Sequence, residues 1–176
     1  MPTDRKHEAT VQYLEAQVRL FATSINLRDF TLDSPAWSQM APDFVASVGY
    51  LHEPVFLDLH ALLTMLCSVT KENPEYSVKL VDVTTTVDVE AGTAQMCVNE
   101  EITGIHDGVA QQSMSMIEWK RAHGKWQCTR HKSLQGLDGM GYAGAKKSFF
   151  SAEPLEQPDA MFRYIKLMIL EILDSE

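Results

Sequence analysis

The chain has little cysteine, no metal-ligand spacing, no basic excess and no long apolar run, and each shortage excludes a class of function. Its 176 residues hold three cysteines, Cys67, Cys97 and Cys128, in no CxxC pattern. An odd count, with Cys97 and Cys128 on strand-like runs, reads as reduced thiols of a cytoplasmic protein. There is no HExxH and no Cys/His cluster at ligand spacing, so no metal is expected. The formal net charge of −9 does not suit nucleic acid or an anionic membrane, both of which attract basic surfaces. No apolar stretch approaches the ~20 residues of a membrane helix. The opening MPTDRKHEAT is charged and does not read as a secretory leader. No Asn-x-Ser/Thr site suggests glycosylation.

Hydrophobic residues make up 45% of the chain, enough for one domain with a proper core. Val11, Leu14, Val18, Phe21 and Ile25 recur at helical spacing and predict a helix from 8 to about 25. Ser34 and Pro35 then predict a short helix carrying Trp37 and Met40, stopped by Pro42, with a short strand from Phe44 to Val48. Phe56, Leu59, Leu62, Leu63, Leu66 and Val69 predict a third helix over 53–71, opened by Pro54 and ended by Asn73-Pro74.

Residues 78–134 predict four strands joined at Ala91-Gly92, Asp107-Gly108 and His123-Gly124. Two-residue loops would set Val83 opposite Glu100, Glu100 opposite Ser115, and Ile117 opposite Arg130. Alternation then gives one face with Val81, Val83, Thr85, Val87, Met96, Val98, Glu100, Ile102, Ser115, Ile117, Trp119, Cys128, Arg130 and Lys132. The other face carries Asp82, Thr84, Asp88, Gln95, Asn99 and Glu101. A carboxylate on the apolar face is costly unless paired or protonated, so Glu100 asks for a reason.

After Leu134 the character changes. Residues 138–157 read as a Gly-rich loop, and 158–176 as a helix whose Met161, Phe162, Ile165, Met168, Ile169 and Ile172 must pack on the domain or a dimer partner. Gly139 to Gly144 match GxGxxG, but no βαβ context accompanies them, and a loop or lid fits better than a nucleotide turn. Helices followed by a run of strands imply an α+β domain with a curved antiparallel sheet.

NLRDF, PAWSQMAPDF, ENPEY and the closing hairpin MIEWKRAHGKWQCTRHK resemble the SnoaL-like branch of the nuclear-transport-factor-2-like superfamily, across roughly residues 8–137. The resemblance implies a cone, here residues 1–137, in which a bent sheet wraps the N-terminal helices around a pocket. It also implies homodimers. Relatives include ketosteroid isomerases, scytalone dehydratase, limonene epoxide hydrolase, polyketide cyclases and fungal terpenoid isomerases, which share acid–base chemistry without metal on small hydrophobic substrates. Other relatives have no catalytic role. No catalytic set of the family matches this chain residue by residue.

Glu100 and Arg130 are the leading candidates, the first to move a proton and the second to hold an oxyanion; a structural ion pair is the plain alternative. His60, on the third helix beside Phe56 and Leu63, is a third catalytic candidate against a satisfied core histidine. Trp37, Tyr50 and Trp119 would hold an apolar ligand, with Ser115 orienting a polar group, although core packing explains the aromatics equally well. Glu118 and His131 form a reserve pair on the outer face, and a bulge in the last strand would turn His131 inward. The favoured function is a cofactor-independent isomerase or cyclase for a small polyketide- or terpenoid-like molecule. The alternative is a non-catalytic ligand-binding or dimerisation module. An epoxide or ester hydrolase would need a second inward carboxylate.

Overall fold

The computed structural model describes residues 2–48, 55–105 and 108–135. Expectations for Tyr50, for the Gly139–Gly144 match and for the helix at 158–176 lie outside those residues. The elements are α1 (Pro2–Leu27), β1 (Met40–Val48), β2 (Val55–Leu57), α2 (Leu59–Glu72), β3 (Ser77–Asp88), β4 (Thr93–Thr103), β5 (Gln111–Ala122) and β6 (Lys125–Gln135). One six-stranded sheet runs in the order β2-β1-β6-β5-β4-β3. Its pairings are antiparallel except β1–β6, which is parallel. The fold class is therefore α+β, as the order of elements implied. No helix among the described residues is long and apolar enough to cross a membrane.

Helix α1 lays Leu14, Val18 and Phe21 into the core, the stripe its spacing predicts. It ends in a Schellman motif: Asp29 N–H donates to Ser24 O and Arg28 N–H to Ile25 O. Arg28 occupies the left-handed position of this cap, at φ 62°, where glycine is usual. Its guanidinium repays that strain by donating to the carbonyls of Pro74 and Tyr76 at 2.8 and 2.7 Å. Asn26 adds a second tie, donating to Val78 O and accepting from Val78 N–H, both at 2.8 Å. The end of α1 is thus locked to the start of β3.

Two predicted helices are shorter than expected. The segment after Ser34 forms a 3-10 turn, Trp37–Gln39, and Met40 starts β1 instead. Pro42 lies within β1, where the register against β6 jumps between Met40 and Val45, so its missing N–H is not required by a regular ladder. Helix α2 begins at Leu59 because Asp58 caps it, accepting from Ala61 N–H at 2.8 Å. Phe56 therefore sits on β2 and is exposed.

The four-strand meander keeps its predicted inner face over most of its length, with two corrections. The first hairpin closes with Asp88 opposite Thr93, a four-residue loop, and the second with Ile102 opposite Gln111. Each shifts the register by two residues, which preserves the face. Val98, rather than Glu100, faces Ser115. The His123-Gly124 turn is the expected two-residue loop, with φ values of 50° and 79°. Then come the bulges. On β3, Val81 is an extra residue between Leu80–Glu100 and Asp82–Asn99, so it faces out and Leu80 faces in. On β6, Thr129 is extra between Trp119–Cys128 and Glu118–Arg130, and its hydroxyl donates to Glu118 O. The side chains of Arg130, His131, Lys132 and Ser133 therefore change face.

Gly104, just past β4, has φ +83°, and a Cβ there would collide with the Glu75 carbonyl and the Tyr76 nitrogen. Gly104→Ala should therefore lose more than about 3 kcal/mol, read by urea denaturation. An unchanged midpoint would show that this close approach is not needed.

Candidate functional site

The sheet, both helices and the 3-10 turn line a partly open cavity of about 180 Å³. Its walls are mostly apolar, with Phe21, Trp37, Phe44, Leu62 and Ile117 among them. Its polar groups are few: Tyr76, Glu100, Ser115, Cys128, His131 and Ser133. Tyr76 precedes β3, Glu100 comes from β4, Ser115 from β5, and the last three from β6.

Glu100 is half-buried in this wall. Burial drives its carboxyl pKa up from 4.5 to about 7, and a hydrogen bond from the Ser115 hydroxyl opposes the rise. Ser115 is 1% exposed. Its Oγ also lies 3.1 Å from His131 Nε2. Burial lowers the His131 pKa from 6.5 to about 4. The imidazole is therefore neutral at neutral pH, and its Nδ1 is buried with no hydrogen-bond partner among the described residues. Tyr76 is pushed up to about 12, first by burial and then by the Glu100 charge, with Arg28 opposing. Cys128 is also raised to about 12 by burial, so it stays a thiol. The result is a carboxyl, a hydroxyl and a neutral imidazole in series, with a phenol nearby. Such a set can take or give one proton near neutrality.

The other sequence candidates lie elsewhere. Arg130 was placed inward by strict alternation; the Thr129 bulge turns it outward, where its Nε stands 3.9 Å from Glu118 Oε2. Both partners are largely exposed, which makes the pair a weak surface contact. The two sequence pairs thus exchange members, with Glu100 and His131 inside and Glu118 and Arg130 outside. His60 is exposed in the first turn of α2, because Phe56, counted on its stripe, belongs to β2. Trp37 lines the cavity and anchors its indole N–H on Asp29 O at 2.7 Å. Trp119 lies in the core instead of the cavity wall, stacked at 5.8 Å on Phe21, which also stacks with Trp37 at 5.8 Å. Tyr76 was missed by sequence reasoning, although ENPEY carried part of the resemblance. Its signal was an aromatic residue at the entry of a strand, just after a proline turn. No group of three or more His, Cys, Asp or Glu side chains among the described residues is placed to hold a metal ion.

No protein-family model matches the chain, and no curated protein matches it in sequence. Solved structures do match in three dimensions. A proposed dehydratase of the NTF2-like family from Streptomyces avermitilis superposes with a TM-score of 0.59 at 15% identity, covering 74% of this chain and 98% of that one. The fold is NTF2-like. A protein of unknown function from Mycobacterium tuberculosis gives a TM-score of 0.63 at 12% identity, over 97% of this chain and 92% of that one. An uncharacterised protein with a cystatin-like fold from Caulobacter vibrioides gives 0.58 at 11%, over 78% and 97%. At these identities the NTF2-like likeness concerns architecture, and function must be argued from the site.

Proposed function

We propose that this chain is an acid–base isomerase or cyclase working without a cofactor on a small, mainly apolar carbonyl compound. The observation that carries this reading is Glu100 in an apolar cavity wall, its carboxyl held at about 7 by burial. A group poised there takes a proton from carbon and returns it with little driving-force mismatch. The Tyr76 hydroxyl, kept neutral by its own burial, donates to the oxygen on which enolate charge develops. Trp37 and Phe44 hold the apolar body.

Size narrows the substrate. An apolar cavity of about 150 Å³ takes a benzene-sized ligand. The cavity of about 180 Å³ thus suits a single ring rather than a fused polycycle. The second reading is a small-ligand-binding module without turnover, which the same apolar cavity would also serve.

A panel of one-ring ketones in D2O separates the two. Proton NMR should show loss of the C–H signal next to the carbonyl at least about 10²-fold faster with the protein than with its Glu100→Gln variant. Saturable binding without exchange would support the binding module and reject the enzyme.

A further inference from the structure

The polar groups of the cavity form a chain with an unusual order. The hydroxyl of Ser115 stands between the carboxyl and the imidazole, whereas in a hydrolytic triad the imidazole is central. A serine hydroxyl has one hydrogen, so it cannot donate in both directions. We propose that Ser115 couples the two ends, so that the protonation state of Glu100 fixes which nitrogen of His131 carries the ring hydrogen.

With Glu100 ionised, Ser115 donates to the carboxylate. Its Oγ then faces His131 only as an acceptor, so Nε2 carries the hydrogen and Nδ1 is bare. With Glu100 neutral, the carboxyl O–H needs an acceptor in an apolar wall, and Ser115, the side chain that opposes its pKa rise by hydrogen bonding, supplies one. The hydroxyl hydrogen turns to Nε2, which must be bare, and the ring hydrogen sits on Nδ1. The passage from the first state to the second balances. One proton enters at Nδ1 from cavity water or ligand, the Nε2 hydrogen passes to Ser115, and the Ser115 hydrogen passes to Glu100.

The orphaned Nδ1 is the second observation. A buried ring nitrogen without a partner is costly, and it gains one when a ligand polar atom reaches it. Nδ1 donates when Glu100 is an acid and accepts when Glu100 is a base. His131 and Ser115 are thus positioning residues that keep the far end of the cavity in step with the carboxyl. The other titratable groups of the wall are Tyr76 and Cys128, with Arg28 behind Tyr76; the first two stay neutral near neutrality.

This deepens the proposed function and rests on Glu100 belonging to the site, but its test does not read turnover. The full chain is labelled with nitrogen-15, and two-bond proton–nitrogen spectra of His131 are followed from about pH 5.5 to 8.5. His131→Asn assigns the signals. The ring hydrogen should move from Nδ1 to Nε2 as pH rises, with the midpoint of the Glu100 carboxyl. Glu100→Gln and Ser115→Ala should each abolish that movement. One tautomer throughout in the natural chain, or the same movement in both variants, would overturn the coupling. Loss of ketone exchange in Glu100→Gln with no tautomer movement in the natural chain would keep the enzyme reading and reject this one.

Discussion

Glu100→Gln should cut turnover by about 10²- to 10⁴-fold and make the protein more stable above neutral pH. The two effects share one cause. A carboxyl raised from 4.5 to about 7 holds in the folded state a proton that the unfolded chain releases. Its contribution to stability is fully present below 4.5 and is lost as pH rises through about 7. At pH 8 the natural chain folds with a buried charge that costs up to about 3 kcal/mol. Glutamine keeps the shape and removes the charge. The variant should therefore melt higher than the natural chain at pH 8, and the gap should close as pH falls toward 4.5. A variant that loses activity because it unfolds would show the opposite sign.

His131→Asn should expose a pH dependence that the natural chain hides. The His131 pKa falls from 6.5 to about 4 on folding, so the unfolded chain binds a proton that the folded chain refuses. Its contribution is therefore full above 6.5 and is lost as pH falls toward 4. Glu100 acts in the reverse sense over nearly the same window. Between about pH 4.5 and 6.5 the two slopes cancel, because folding in effect moves one proton from imidazole to carboxyl. Relative to the natural chain, His131→Asn should lose stability as pH rises across that window, by about 3 kcal/mol in all. Glu100→Gln should gain by a similar amount over the same range. Urea midpoints at several pH values read both differences, from which unrelated groups drop out. If the His131→Asn profile runs parallel to the natural one, the burial assigned to the imidazole is wrong.

The inner face of the meander was legible because alternation survives even register shifts. The first two hairpins have longer loops than expected, yet Met96, Val98, Glu100, Ser115 and Ile117 all stay on the cavity side. The bulges were not legible. Thr129 and Val81 are ordinary strand residues, and nothing local marks either as the extra one. Their placement depends on the partner strand, which a single sequence does not display. That is why Arg130 was read inward and His131 outward. The start of α2 failed for another reason. Val55, Phe56 and Leu57 fit a helical stripe and a short strand equally well, and the capping carboxylate of Asp58 decided between them. Tyr76 needed both the Schellman cap at Arg28 and the close approach of Gly104 to be placed, and these are long-range contacts.

Everything proposed for the site depends on a carboxyl that changes protonation near neutrality inside the cavity. Carbon-13 labelling of the glutamate carboxyls measures this directly, with Glu100→Gln identifying the signal. A Glu100 midpoint at about 7 is the expected result. A midpoint at the ordinary value of 4.5 would place the carboxyl in water and contradict the account.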